Sequence, residues 1–78
     1  MGRKFGQVSA VEFAGILERH FGCGLKWGKC AVKVRRNVGG SFYGQCLHLS
    51  TKYHSGLQRT VLHGLGFSDD EIDVSYPR

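Results

Sequence analysis

Residues 25–36 read Leu-Lys-Trp-Gly-Lys-Cys-Ala-Val-Lys-Val-Arg-Arg, and five of these twelve are Lys or Arg. Between Cys30 and Arg35 apolar and basic residues mostly alternate, the period of a strand with two unlike faces. Cys30, Val32 and Val34 fall to one side, and Ala31, Lys33 and Arg35 to the other. Such a strand buries one edge of a core and holds cations on the opposite surface. With Lys26, Trp27, Lys29 and Arg36 beside it, the stretch predicts a basic β-hairpin facing a polyanion.

Outward from that hairpin, the spacing predicts strands over 25–27 and 30–36 joined tightly at Gly28-Lys29. A glycine-rich turn over 37–41 leads to a third strand over 42–50. In this strand Leu47 and Leu49 argue for one buried face and Phe42 and Cys46 for the other, so alternation leaves the inner side open. Before the hairpin, Ser9-Ala10-Val11-Glu12 is a capping box. Ala10, Phe13, Ala14, Leu17 and Phe21 follow at helical spacing, and Gly22 supplies the stop. After it, Ser55-Gly56-Leu57-Gln58 opens a second helix, with Ser55 as N-cap, Leu57, Val61 and Leu65 along one stripe, and Gly66 as terminator. A third box, Ser68 to Glu71, begins a brief acidic turn or helix ending before Pro77. The expected fold is α+β, in the order α-β-β-β-α, with a three-stranded antiparallel sheet packed against two helices.

The 78 residues form one domain, 1–78, with 1–7 as a flexible N-terminus and 69–78 as an acidic C-terminal segment. At this length roughly 60–65% of the unfolded surface is buried, enough for one core. No apolar run approaches the ~20 residues of a membrane span, and the basic start lacks the apolar segment of a secretory signal. Cys23, Cys30 and Cys46 are odd in number and lack a Cys-x-x-Cys spacing, which argues against both a disulfide framework and a zinc site. A cytoplasmic protein is expected, with no metal or cofactor and with Cys30 and Cys46 as small buried hydrophobes. The net charge of +5 is unevenly placed. Up to Ser68, ten Lys or Arg face only Glu12 and Glu18, whereas from Asp69 onward four acids face Arg78. A basic body raises the local concentration of phosphate backbones.

A second cluster of cations surrounds the start of the second helix, where Lys52, His54 and Arg59 join a positive helix pole. That coincidence predicts a phosphate site. Trp27, Tyr43 and Tyr53 are the candidates for stacking on bases.

The order of elements resembles the double-stranded-RNA-binding fold and especially the small HicA-type mRNA interferase toxins. The likeness is carried by Gly56-Leu57-Gln58-Arg59-Thr60-Val61-Leu62, by Leu65-Gly66-Phe67-Ser68 and by the acidic Asp69-Asp70-Glu71. It implies RNA as partner and, for the toxins, ribonuclease activity. The toxins carry a Gly-Ser-His around the second strand, however, whereas this chain has Gly28-Lys29-Cys30, and Gly40-Ser41 is followed by Phe42. Their catalytic His is not carried over. His48 and His54 remain as the acid–base candidates for a metal-independent ribonuclease. The expectation is therefore a nucleic-acid-binding module, RNA favoured over DNA, without catalysis. The alternative is a protein-interaction or inhibitor domain that binds a partner through its sheet edge; a HicA-like ribonuclease is the third reading.

Overall fold

The computed structural model describes residues 6–76. In chain order the elements are β1 (Val8–Ser9), α1 (Ala10–Phe21), β2 (Gly24–Trp27), β3 (Ala31–Val38), β4 (Ser41–His48), β5 (Lys52–Tyr53), α2 (Ser55–Gly64) and α3 (Asp69–Ser75). The fold is α+β. Strands β2, β3 and β4 form the antiparallel three-stranded sheet in that order, and β1 pairs with β5 in a separate two-residue ladder that the sequence pattern did not reveal. The acidic segment forms a third helix; Pro77 and Arg78 lie outside the described residues.

Local chemistry sets the helix starts at both ends of the chain. Ser9 accepts from the Glu12 N–H at 3.2 Å while the Ser9 N–H donates to the Glu12 carboxylate at 3.3 Å, and Ser68 and Glu71 repeat the arrangement. Gly22 ends α1 in the left-handed region at φ 68°, where a side chain is disfavoured. The α2 start differs from expectation. His54, not Ser55, is the N-cap: its Nδ1 accepts from the N–H groups of Gly56 at 3.1 Å and Leu57 at 3.4 Å. Gln58 makes no reciprocal cap bond because it is fully buried and employed elsewhere. Its amide donates to the carbonyls of Gly6 at 2.6 Å and Tyr53 at 2.8 Å and accepts from the Tyr76 hydroxyl. One side chain thus ties the N-terminal segment, β5 and the end of α3 together. Residues 1–5 of the expected flexible N-terminus lie outside the described residues, and Gly6 is held.

Register resolves the face that alternation left open. Val32 stands opposite Trp27 and Leu47, and Val34 opposite Leu25 and Gln45. Val32, Val34 and Leu47 are fully buried, against a core that includes Phe13, Leu17, Leu62 and Ile72 from the helices and Leu65 from the segment just after α2. Phe42, Gly44, Cys46 and His48 consequently project from the opposite, solvent-facing side of β4. On the inner side α2 meets β4, and a Cβ at Gly64 would run into the side-chain amide of Gln45, which would have to shift.

Candidate nucleic-acid interface

The predicted cations divide into those on the outer sheet face and those consumed by the fold. On the outer face, Lys26, Lys33 and Cys46 are cross-strand partners in one row, and Gly24, Arg35 and Gly44 in the next. Lys26, Lys33 and Arg35 are exposed, and Lys29 sits in the exposed turn between β2 and β3. From Arg19 to Ser68 the sequence contains no acidic residue, so the sheet provides no counter-charge of its own. Among the described residues no ion pair is formed by Lys26, Lys29, Lys33 or Arg35. Two like charges directly opposite one another, as Lys26 and Lys33 are, oppose strand pairing. An anion laid across them removes that repulsion.

Arg36 does not belong to this surface. By strand parity it falls on the core side, where its guanidinium lies 3.7 Å from the Phe67 ring centroid and donates to the Leu65 carbonyl at 2.7 Å. Its charge also faces Glu71 at 3.9 Å. The predicted phosphate site at α2 is likewise not assembled. Arg59 turns to α3, pairing with Asp69 at 3.1 Å and Asp73 at 3.4 Å. The His54 Nδ1 that accepts two backbone N–H groups carries no proton in that role, so the cap brings no positive charge through it. Lys52 is exposed on β5, in the other sheet. The acidic helix thus sorts the basic charge: its carboxylates engage Arg36, Arg59 and His63 and leave the outer-face cations open.

Hydrogen bonding from His63, with the charges of His63 and Arg59 behind it, holds the Asp69 carboxyl below the ordinary carboxylate range. The Ser68 backbone N–H, then its hydroxyl and the charge of Arg36, do the same for Glu71.

The aromatic candidates also need revision. Tyr53 is buried against Phe13, with ring centroids 5.5 Å apart, and its hydroxyl accepts from the His48 N–H at 3.0 Å. Tyr43 is half-buried on the inner side, packed against the core with Arg36 near its ring. Trp27 is 53% exposed beside the hairpin turn, and Phe42, not among the stacking candidates, is 65% exposed on the cationic face. The signal for Phe42 was present in its parity with Cys46, but only the burial of Leu47 decides that parity outward. The cysteine expectation reverses. Cys30 and Cys46 are exposed, since Cys30 precedes β3 in the turn and Cys46 is on the outer face; Cys23 is the buried thiol, pushed up by that burial against the opposing charge of Arg36.

Of the two histidine candidates, His48 shares the outer face, opposite Ala31, and His54 is spent as a cap. Among the described residues no hydrogen-bonded side-chain partner accompanies His48 to form an acid–base pair. Among the described residues no group of three His, Cys, Asp or Glu is gathered for a metal. No family model, curated protein or solved structure matches the chain, and the functional reading rests on the geometry itself.

Proposed function

We propose that this protein is a nucleic-acid-binding module, with RNA its favoured partner, that holds phosphates on the outer face of the β2–β3–β4 sheet. The observation that carries the reading is the Lys26–Lys33 cross-strand pair with Arg35 in the adjoining row, on an exposed face without acidic neighbours. Lys29 extends the row of charge at the turn. Phosphates neutralise such a surface by displacing condensed counter-ions, so binding depends steeply on salt. Four contacting cations give a log–log slope of about −3 on a single strand, from ~0.7 per phosphate contact. Titration of labelled RNA across a salt series is the test. A flat response, or no binding at low salt, removes the reading.

A second reading has its own observation. The His48 N–H points away from β3 to Tyr53, and by strand parity Phe42, Gly44 and Cys46 turn their backbone groups toward the same free edge. Short of His48, whose N–H is taken up by Tyr53, this edge carries no Lys, Arg, Asp, Glu or Pro over residues 41–47, the features that normally block strand addition. It suits a protein partner that adds a strand. Association of that kind is carried by main-chain bonds and is insensitive to salt, and the same titration separates the two.

A further inference from the structure

The row Gly24–Arg35–Gly44 is unusual among the glycine positions of this chain. Glycine within a strand weakens it and commonly marks a bulge or a close approach of ligand or backbone. The register across β2, β3 and β4 runs without a bulge. Neither glycine has a positive φ, and an added Cβ would meet nothing nearer than the Arg35 carbonyl at 3.8 Å or the Val34 carbonyl at 3.9 Å. Folding therefore demands glycine at neither position. By contrast, Gly64 and Gly66 are pressed against Gln45 and Tyr43 and tolerate no side chain without a shift.

What Gly44 does provide is an open floor. Between Phe42 and Cys46, two residues to either side on the same face, lies a shallow depression of about 350 Å³ that Lys33 and Arg35 also line. Its size falls in the ordinary range for small-ligand clefts, roughly 300–1,000 Å³. One wall is the exposed Phe42 ring, the floor is the Gly44 backbone, and Lys33 and Arg35, which form no ion pair among the described residues, stand alongside. A duplex offers phosphates to such a face but keeps its bases stacked inside. A single strand offers phosphates and free bases together.

Resting on the nucleic-acid reading above, we propose that this depression is a nucleobase site for a single strand. One base lies over the Gly44 backbone and stacks against Phe42, while the flanking phosphates meet Arg35 and Lys33. The missing side chain at Gly44 gives the base its space, and the missing acids leave the phosphates unopposed.

The test uses the whole chain and four probes: a uridine decanucleotide, its deoxythymidine counterpart, a duplex RNA of ten base pairs, and inorganic polyphosphate. Phe42→Ala removes the stacking wall, and Gly44→Val fills the floor with a residue that strands favour. Either substitution is expected to weaken both single strands about tenfold, the order of one base–aromatic stack, and to leave polyphosphate and duplex affinity unchanged. Thermal unfolding of Gly44→Val at or above the parent temperature separates this loss from damage to the fold. Phe42→Trp should retain single-strand affinity. If Phe42→Ala and Gly44→Val bind single strands as the parent does, while Lys33→Ala/Arg35→Ala loses affinity for every probe, the base site is overturned and the phosphate reading stands. If the parent binds none of the four probes, both are overturned.

Discussion

The Arg36 guanidinium stacks 3.7 Å from the centroid of the Phe67 ring and donates to the Leu65 carbonyl at 2.7 Å. One side chain from β3 thereby fastens the segment between α2 and α3 to the sheet, across a sequence separation of 29 residues. It is the last basic residue of the stretch that looks most like a nucleic-acid face, yet it belongs to the core. Its side chain is only 15% exposed. A planar, weakly hydrated cation suits that place, since it presents a flat surface to the ring and N–H groups at its rim to the carbonyl.

Arg36→Ala should therefore lower stability by about 2 kcal/mol, through the lost cation–aromatic contact and the Leu65 carbonyl left without its donor. Arg36→Lys should recover only part, because an ammonium cannot stack as a plane. Chemical denaturation measures both. Affinity for RNA at a temperature where each variant is folded should match the parent; a large loss in binding with no loss in stability would return Arg36 to the interface.

Lys33→Ala with Arg35→Ala should reduce polyanion binding while leaving the unfolding midpoint near that of the parent, because both side chains are exposed and point away from the core. With two of four contacts removed, the slope of log affinity against log salt should fall from about −3 to about −1.5. Arg59→Ala is the matched control. It removes a charge of the same sign that is engaged with Asp69 and Asp73, and the slope should not change.

His54→Ala should cost about 1 kcal/mol by leaving the Gly56 and Leu57 N–H groups without their cap. Ser55→Ala, one residue later and inside the helix, should be near neutral. Equilibrium unfolding of the two variants side by side checks the assignment. Equal losses would mean that the serine shares the cap.

Acid should loosen α3 before the rest of the fold. Asp69 and Glu71 both titrate below their ordinary range in the folded protein, so the unfolded chain takes up their protons first as pH falls. The stability they contribute is fully present above the ordinary carboxylate value, about pH 4, and is lost as pH drops through the lower folded values. Asp69→Asn should flatten part of that dependence. At the alkaline end the sign reverses for Tyr76, whose phenol is pushed up by burial: its contribution holds below about pH 10 and fades as pH rises further. Amide exchange of α3 against α1 across an acid series reads the first effect. Uniform loss of protection in both helices would contradict it.

Features that depend on near neighbours along the chain are legible in the order of residues alone. Period-two alternation made β3 a strand with Val32 and Val34 on one side and Lys33 and Arg35 on the other, because successive side chains must point oppositely. The capping boxes at Ser9 and Ser68 and the stop at Gly22 each involve atoms within a few residues, and all stand as read. The α+β class and the three-stranded antiparallel sheet followed from the elements read along the chain. Which groups are used up depends instead on contacts between distant parts of the chain. Arg36 is claimed by Leu65 and Phe67, Gln58 by Gly6 and Tyr76, and Arg59 by Asp69 and Asp73, all partners ten or more residues away. Phe42 faces outward because Leu47, five residues on and of opposite parity, fits beneath the helices. A charge or a ring reads the same in the sequence whether it faces water or a partner. Long-range packing supplies the partner, and so separates Arg36 and Arg59, which tie elements of the fold together, from Lys26, Lys33 and Arg35, which stay exposed on the outer sheet face.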